Sequence, residues 1–442
     1  MSARRAHRVG VAVVAAVVAV AGVACGGDRE PLRVGVLVEC DSIFASTRPG
    51  ALAGAALPLV ERGAKPGAEP GEIEGARVAG RAIEILPACS QVTRFGRLIA
   101  ETRWLVESEG ADVVVGPLGA PEGAMMRRVA AKYPDVTFLV GTGGAQETTL
   151  RDPQRNLFRF TPDGAQSVAG LATYAFENLG WRRAVVVAEG YPGGWEATAG
   201  FVAEFCSLGG SIVERDFESL LFTPDPAAAA TRHAASADGV ALFATAAPPV
   251  PYLARYAAAV GEGLGTRLVV AGPPFFDQSS LAPMNVDLTG VVLGGYVPLD
   301  PDDRSMRAYL ASLNHAYPTL QPGAAYHDPT YASYTAVEAL ASALEATDGE
   351  IGAGQAELRG ALSGLELELP QGAVRLDGNR QAIGEISLER IVRKASGRAE
   401  LEGFATVQDV DQRFGGLFTP ETPPPSPSTP ACVKGSPPAW AR

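Results

Sequence analysis

Beyond Leu32 the chain alternates between two hydrophobic periods. Short apolar, β-branched runs are each followed by a longer stretch whose apolar residues recur at helical spacing. That alternation predicts βαβ units and parallel sheets, whose strands read as continuous apolar runs because helices cover both faces. A first set gives strands at Leu32–Val38, Arg81–Leu86, Asp112–Val115 and Val136–Val140, with helices near Gly50–Arg62, Phe95–Gly110 and Pro121–Tyr133. Asn156–Thr161 reads as an extended connector. A second set opens with a helix near Ala165–Leu179 and continues through strands Arg183–Ala188, Ser211–Phe217, Gly239–Ala244, Arg267–Ala271 and Val291–Val297. Its further helices fall near Trp195–Leu208 and Pro251–Leu264. Helices near Arg307–Tyr317, Thr330–Ala346 and Glu357–Leu365 follow, then a β-rich end through Phe404. Two similar halves joined by extended connectors predict an α/β protein of two Rossmann-like lobes.

Both ends depart from this rhythm. At the start, Arg4, Arg5 and Arg8 precede an apolar run from Val9 to Ala24, which stops at small residues around Cys25. A basic start, an apolar core and a small-residue end make an export signal, shorter than the roughly 20 residues that span a bilayer. Residues 1–24 are therefore expected to be a signal peptide. The small residues before Cys25 resemble a bacterial lipobox, which makes Cys25 the lipidation site and 25–31 a lipidated linker. Gly22 stands where that pattern usually has a leucine-like residue. A plain secreted protein and an uncleaved anchor are the alternatives. Each places the rest of the chain outside the cytoplasm. At the other end, 417–442 is proline-rich and predicts an extended tail.

Composition narrows the function classes. The 442 residues are 47% hydrophobic and 19% charged, which excludes global disorder. Without the signal, 34 basic residues face 49 acidic ones, so the net charge moves from −12 to about −15. Nucleic acid and anionic lipid surfaces repel such a chain, and no basic patch with interleaved aromatics is present. With Cys25 assigned to lipid, Cys40, Cys89, Cys206 and Cys432 remain, an even number in an oxidising space. Cys40 and Cys89 each lie just beyond an apolar strand. If these strands are neighbours in a parallel sheet, both emerge at one edge within bridging distance; Cys206 and Cys432 then pair by default only where the tail folds back, and that pairing stays open in the sequence.

Several strings resemble type I periplasmic binding proteins, specifically the branched-chain amino acid receptors of ABC transporters. Leu32-Arg33-Val34-Gly35-Val36-Leu37 is similar to that family's first strand, and Ala111-Asp112-Val113-Val114-Val115-Gly116-Pro117 to its third. Asn156-Leu157-Phe158-Arg159-Phe160-Thr161-Pro162-Asp163 resembles its first inter-lobe crossover. Gly180-Trp181-Arg182-Arg183-Ala184-Val185-Val186-Val187 resembles the opening of its second lobe. Tyr331 to Leu340 is similar to the late helix that returns to lobe one, and Gly372 to Gln381 to its closing hairpin. The resemblance implies a three-crossing hinge near Phe158–Pro162, Val297–Pro301 and Leu365–Gly372. Lobe one is then 32–158 with 301–365, and lobe two 159–297 with 366–416. It further implies a small-molecule solute, an ABC transporter permease as partner, and no catalysis or cofactor.

Doubly wound sheets bind ligands beyond the carboxyl ends of their strands. Candidate ligand-binding residues are therefore Asp41 and Ser42 after the first strand, Leu118 and Gly119 after the third, and Thr142, Gly143 and Gly144 after the fourth. Glu189, Tyr191 and Trp195 open the second lobe; Ala246, Pro273 and Phe275 end later strands. Glycines let backbone N–H groups approach a ligand, and Thr142 offers a hydroxyl. Gly143 and Gly144 equally suit a plain strand-to-helix turn. Leu118-Gly119-Ala120 lacks the hydroxyl that amino acid receptors place there, which counts against a zwitterionic amino acid and towards a more apolar pocket.

An enzyme is the weaker alternative. Glu39-Cys40-Asp41-Ser42 replaces the glycine-rich turn of a dinucleotide fold, and Gly141-Thr142-Gly143-Gly144 lacks the full spacing. No Walker loop, nucleophile elbow or histidine-rich metal cluster is present, so no metal is expected. A ligand sensor or an envelope protein-interaction module on the same fold is the other alternative.

Overall fold

The computed structural model describes residues 29–42, 44–92, 94–218, 226–243, 250–271, 286–321, 323–324 and 328–441. The expected signal peptide, Cys25, Ala246, Pro273 and Phe275 lie outside them. Its strands form two large sheets and a two-stranded ribbon.

The first sheet builds on β1 (Leu32–Glu39), with α1 (Arg48–Glu61) after it. Short strands β2 (Lys65–Pro66) and β3 (Ile73–Glu74) pair as the ribbon, and β4 (Arg77–Val78) leads into β5 (Arg81–Ser90). Then come α2 (Phe95–Glu107), β6 (Val113–Val115), α3 (Ala120–Lys132), β7 (Thr137–Leu139) and β8 (Leu157–Phe158). The order is β4-β5-β1-β6-β7-β8. β1 pairs parallel with both β5 and β6, so the chain direction of the winding reverses beside β1 and opens a crevice at the carboxyl ends there. The segment expected as a connector contributes β8, because Leu157 and Phe158 pair in register with Phe138 and Leu139.

In the second half a short helix α4 (Leu171–Thr173) precedes β9 (Arg183–Glu189), α5 (Pro192–Ser207) and β10 (Ser211–Glu218). α6 (Pro226–Ser236), β11 (Gly239–Phe243), α7 (Val250–Val260), β12 (Leu268–Ala271) and β13 (Val292–Gly295) follow. Three helices, α8 (Arg304–Ala316), α9 (Asp328–Ala346) and α10 (Ala356–Gly364), then return; α8 and α9 pack against α1. β14 (Glu366–Leu369), β15 (Gly372–Leu376), β16 (Ala382–Arg393) and β17 (Ala399–Val410) complete the second sheet. Its order is β10-β9-β11-β12-β13-β16-β15-β14, with β17 on β16 and β13–β16 antiparallel. The helix expected over Ala165–Leu179 is broken. Gly170 adopts φ +84°, a left-handed conformation that interrupts the helix between a 3₁₀ turn at Gln166–Val168 and α4.

The register explains the first disulfide. Val38 on β1 lies opposite Cys89 on β5, so Cys40 and Cys89 meet at one edge with Cα atoms 5.4 Å apart. Cys206, near the end of α5, is joined to Cys432 at a Cα separation of 5.3 Å. The proline-rich tail is thereby fastened to the body, and Trp440 stacks edge-on against Phe414.

Candidate functional site

A cavity of about 110 Å³ lies between the carboxyl ends of the two sheets. That is on the scale of the roughly 150 Å³ apolar cavity that holds benzene. One wall comes from the first half. Phe44 and Val92 form an apolar corner with Leu118 and Tyr191. Glu39, buried under that corner, fastens it: Ser42 Oγ donates to its Oε2 and the Val92 N–H to its Oε1, both at 2.5 Å. Ser42 Oγ in turn accepts from Phe44 N–H at 3.0 Å. Gly119 leads into α3, and its N–H donates to Glu122 Oε2 at 3.2 Å. Burial, reinforced by the nearby Glu39 charge, pushes Glu122 up to about 7. Thr142 lines the cavity, and its Oγ1 donates to the Leu118 carbonyl at 2.7 Å, so its hydrogen is used within this wall.

The opposite wall is built on the crossover after β8 and on α5. Asp163, Gly164 and Ser167 line it beside Tyr191, Gly193 and Glu196. Asp163 Oδ1 accepts from Gln166 N–H at 2.8 Å, while its Oδ2 is buried without a hydrogen-bond partner. Glu196 Oε2 is likewise buried and unpartnered. Burial raises both carboxyls. Asp163 reaches about 6 against the downward pull of Arg159, and Glu196 is raised further with Asp163 adding to the effect. Burial also raises the Tyr191 phenol, with Glu189 and Glu122 contributing. Tyr296, just beyond β13, donates its hydroxyl hydrogen to Asp328 at the start of α9. Asp328 is pushed up to about 8 by burial alone.

Behind the second wall Arg159 is wholly buried. Its guanidinium donates to Gln381 Oε1, to the Gly143 and Ala145 carbonyls at 2.7 and 2.8 Å, and to Thr149 Oγ1 at 3.0 Å. Gln381 donates onward to the Thr161 carbonyl and Gln166 Oε1, each at 2.9 Å. This network locks the crossover to the hairpin between β15 and β16.

Of the residues expected from the sequence, Leu118, Gly119, Thr142, Gly144 and Tyr191 line the cavity. The other described ones sit beside it. Asp41 forms an ion pair with Arg97, and Ser42 braces Glu39. Gly143 lies against α3, where a Cβ on Gly123 would come within 2.6 Å of the Gly143 carbonyl oxygen. Glu189 is buried under the turn that its carbonyl closes with Tyr191 N–H at 2.8 Å. Trp195 is half-buried on α5 and does not line the cavity. Sequence reasoning missed Phe44, Asp163, Glu196, Tyr296 and Asp328. Tyr296 was within reach, since it lies near the carboxyl end of the strand expected over Val291–Val297, which the structure ends at Gly295.

Comparison with known proteins agrees with this architecture. A family model described as "Periplasmic binding protein" matches residues 31–396. No curated protein sequence matches the chain. Among solved structures, an ABC transporter substrate-binding protein from Sphaerobacter thermophilus is 26% identical, with a TM-score of 0.75 over 87% of this chain and 99% of that one. A solute-binding protein of an ABC transporter from R. palustris, in complex with 4-hydroxybenzoate, is 18% identical, with a TM-score of 0.72 over 87% and 98%. A leucine-binding protein from Thermotoga maritima MSB8 is 14% identical, with a TM-score of 0.64 over 85% and 99%. With the family model spanning most of its length, and with two doubly wound sheets facing one cavity, this chain belongs to the periplasmic binding protein family.

Proposed function

We propose that the protein captures a small organic solute between its lobes and delivers it to the permease of an ABC transporter. Lobe one comprises 32–158 and 301–365, lobe two 159–297 and 366–416, and the protein is held outside the cytoplasm by lipid on Cys25. The observation that carries this reading is a single cavity whose walls come from the carboxyl-end loops of both sheets. A ligand there touches both halves at once, so its contacts exist in full only when the halves are closed, and binding favours closure. The solved relatives named for 4-hydroxybenzoate and for leucine support a solute of that size. The reading assigns the chain no chemistry.

Thermal unfolding of a soluble form starting at Gly26, against amino acids, amides, carboxylates, amines, nucleosides and sugars, tests it. A ligand at a hundred times its dissociation constant adds about 2.7 kcal/mol to the native state. One chemical class is expected to raise the melting temperature, and Tyr191→Ala to weaken that effect. A cooperatively folded sample that answers to no class would instead point to a protein-binding envelope module.

A further inference from the structure

We propose that the solute is an organic cation, an ammonium or amidinium group on a small apolar body, whose N–H donors are accepted by Asp163 and Glu196. This rests on the solute-binding reading and narrows it. Among the described residues that line the cavity, the charged ones are Asp163, Glu196 and Asp328, and there is no arginine or lysine. Arg159, the nearest guanidinium, spends its donors on Gln381, Thr149 and two backbone carbonyls; its closest approach to Asp163 Oδ2 is 3.9 Å. Asp163 is 0% exposed and Glu196 5%, and each keeps one carboxylate oxygen without a hydrogen bond. Buried acceptors left empty are costly unless a ligand fills them.

The start of α3 would ordinarily suit an anion. Here the Gly119 N–H donates to Glu122 and Ala120 makes a backbone hydrogen bond to Tyr191, so the chain's own groups take up two of the donors at that end. A carboxylate solute would find three acidic side chains on the walls and no arginine or lysine among the described lining residues to donate to it. The remaining walls favour the opposite charge. Phe44, Tyr191 and Tyr296 present aromatic rings, and ring faces attract cations in desolvated sites.

Protonation provides an independent readout. Glu196 on α5 feels the charge of Asp163 on the crossover and, more weakly, those of Arg159 and Arg151, and the Gln146 N–H donates to it. Burial raises its pKa and so favours the protonated form in the empty cleft. A cation drawn against it favours the ionised form, and binding expels that proton.

The test is isothermal titration calorimetry at pH 7 with benzylamine, benzamidine and cadaverine, against benzoate and benzyl alcohol, in two buffers of different ionisation heat. The amines or the amidine are expected to bind with proton release. Glu196→Gln and Asp163→Asn should each weaken them about tenfold or more. If Asp163→Asn fails to melt cooperatively, Glu196→Gln and the wild-type proton release decide the question. Preference for benzoate, cation binding without proton release, or affinities unchanged in the folded variants would overturn the cation assignment while leaving solute binding intact. The assignment also falls if none of the three cations binds while another class in the wider panel stabilises the protein. Silence from every class would remove the solute-binding reading itself.

Discussion

Arg159 and Asp163 stand four residues apart on the same crossover, both wholly buried, and their hydrogen-bonding capacity is used very differently. Arg159 is held by four acceptors drawn from the loop after β7 and from the hairpin before β16. Asp163, in the cavity wall, closes a turn with one oxygen and leaves the other without a hydrogen bond, 3.9 Å from Arg159, and Glu196 on α5 likewise keeps one oxygen without a hydrogen bond. The first arrangement is what a structural joint requires: four of the five guanidinium donors are taken by acceptors within the chain. The second has valences to spare in a place that only a ligand reaches. The contrast separates residues that fix the hinge from residues that read the solute, although they share one buried neighbourhood.

The most direct way to break this comparison is Arg159→Met. The substitution strips the Gly143 and Ala145 carbonyls of their Arg159 donor, takes one of their partners from Gln381 and Thr149, and removes the charge nearest to Asp163. A loss of roughly 3–5 kcal/mol in urea unfolding is expected. A loss below about 1 kcal/mol would mean that the network is not the joint described above.

The acids make a second, graded prediction. Asp163, Glu122 and Asp328 have folded values of about 6, 7 and 8, all above those of unfolded carboxyls. Between the unfolded and folded values the native state holds protons that the unfolded chain has lost. Stability therefore falls as pH rises through that window, from about 4 to about 8. Each group contributes a slope approaching ~1.4 kcal/mol per pH unit within its own window. Asp328→Asn should remove one such contribution and flatten the fall most clearly between pH 7 and 8. Urea unfolding at pH 5, 6, 7 and 8 would show this, and an unaltered slope would contradict the assignment.

Thr149→Val probes the rim of the network. Thr149 donates to Gln381 Oε1 at 2.9 Å and accepts from Arg159 at 3.0 Å, so the change leaves one buried donor and one buried acceptor short of a partner. About 1–3 kcal/mol should be lost in the same unfolding measurement, less than for Arg159. An equal loss would place the weight of the joint on Thr149 instead.

The two sheets were legible because each strand is a continuous apolar run between helical stretches, and the Cys40–Cys89 pairing followed from two of those strands being neighbours. The cavity wall of the first half was legible for the same reason, since Leu118, Thr142 and Gly144 follow strands directly. Asp163 and Glu196 were not. An acid after Thr161-Pro162 reads as a solvated turn, and one beside Trp195 reads as the outer face of a helix. Their burial is supplied by partners distant in sequence: Gln381 and Gln412 beneath the crossover, and Gly164 pressed against the Glu196 Cβ. Trp195 erred in the other direction. Its size marked it for a wall, but its position on α5 turns it away from the cavity that Glu196, the next residue, lines.

The smallest expected effect sharpens the comparison most. Glu196→Gln keeps the size of the side chain and an oxygen to accept from Gln146 N–H. Because burial favours the protonated acid, the amide replaces a group that is biased towards its neutral form in the empty cleft. Near the pKa of an unfolded carboxyl the unliganded variant should therefore differ from the wild type by less than about 1 kcal/mol, and as pH rises above it the variant should become the more stable one, because only the wild type must keep a proton or ionise a buried acid. A structural carboxylate would behave in the opposite way: its loss would destabilise the empty protein at every pH above its titration. Urea unfolding of the ligand-free variant at pH 6 and pH 8 separates the two cases. A loss of several kcal/mol at both would place Glu196 with Arg159 in the joint, rather than with Asp163 at the solute.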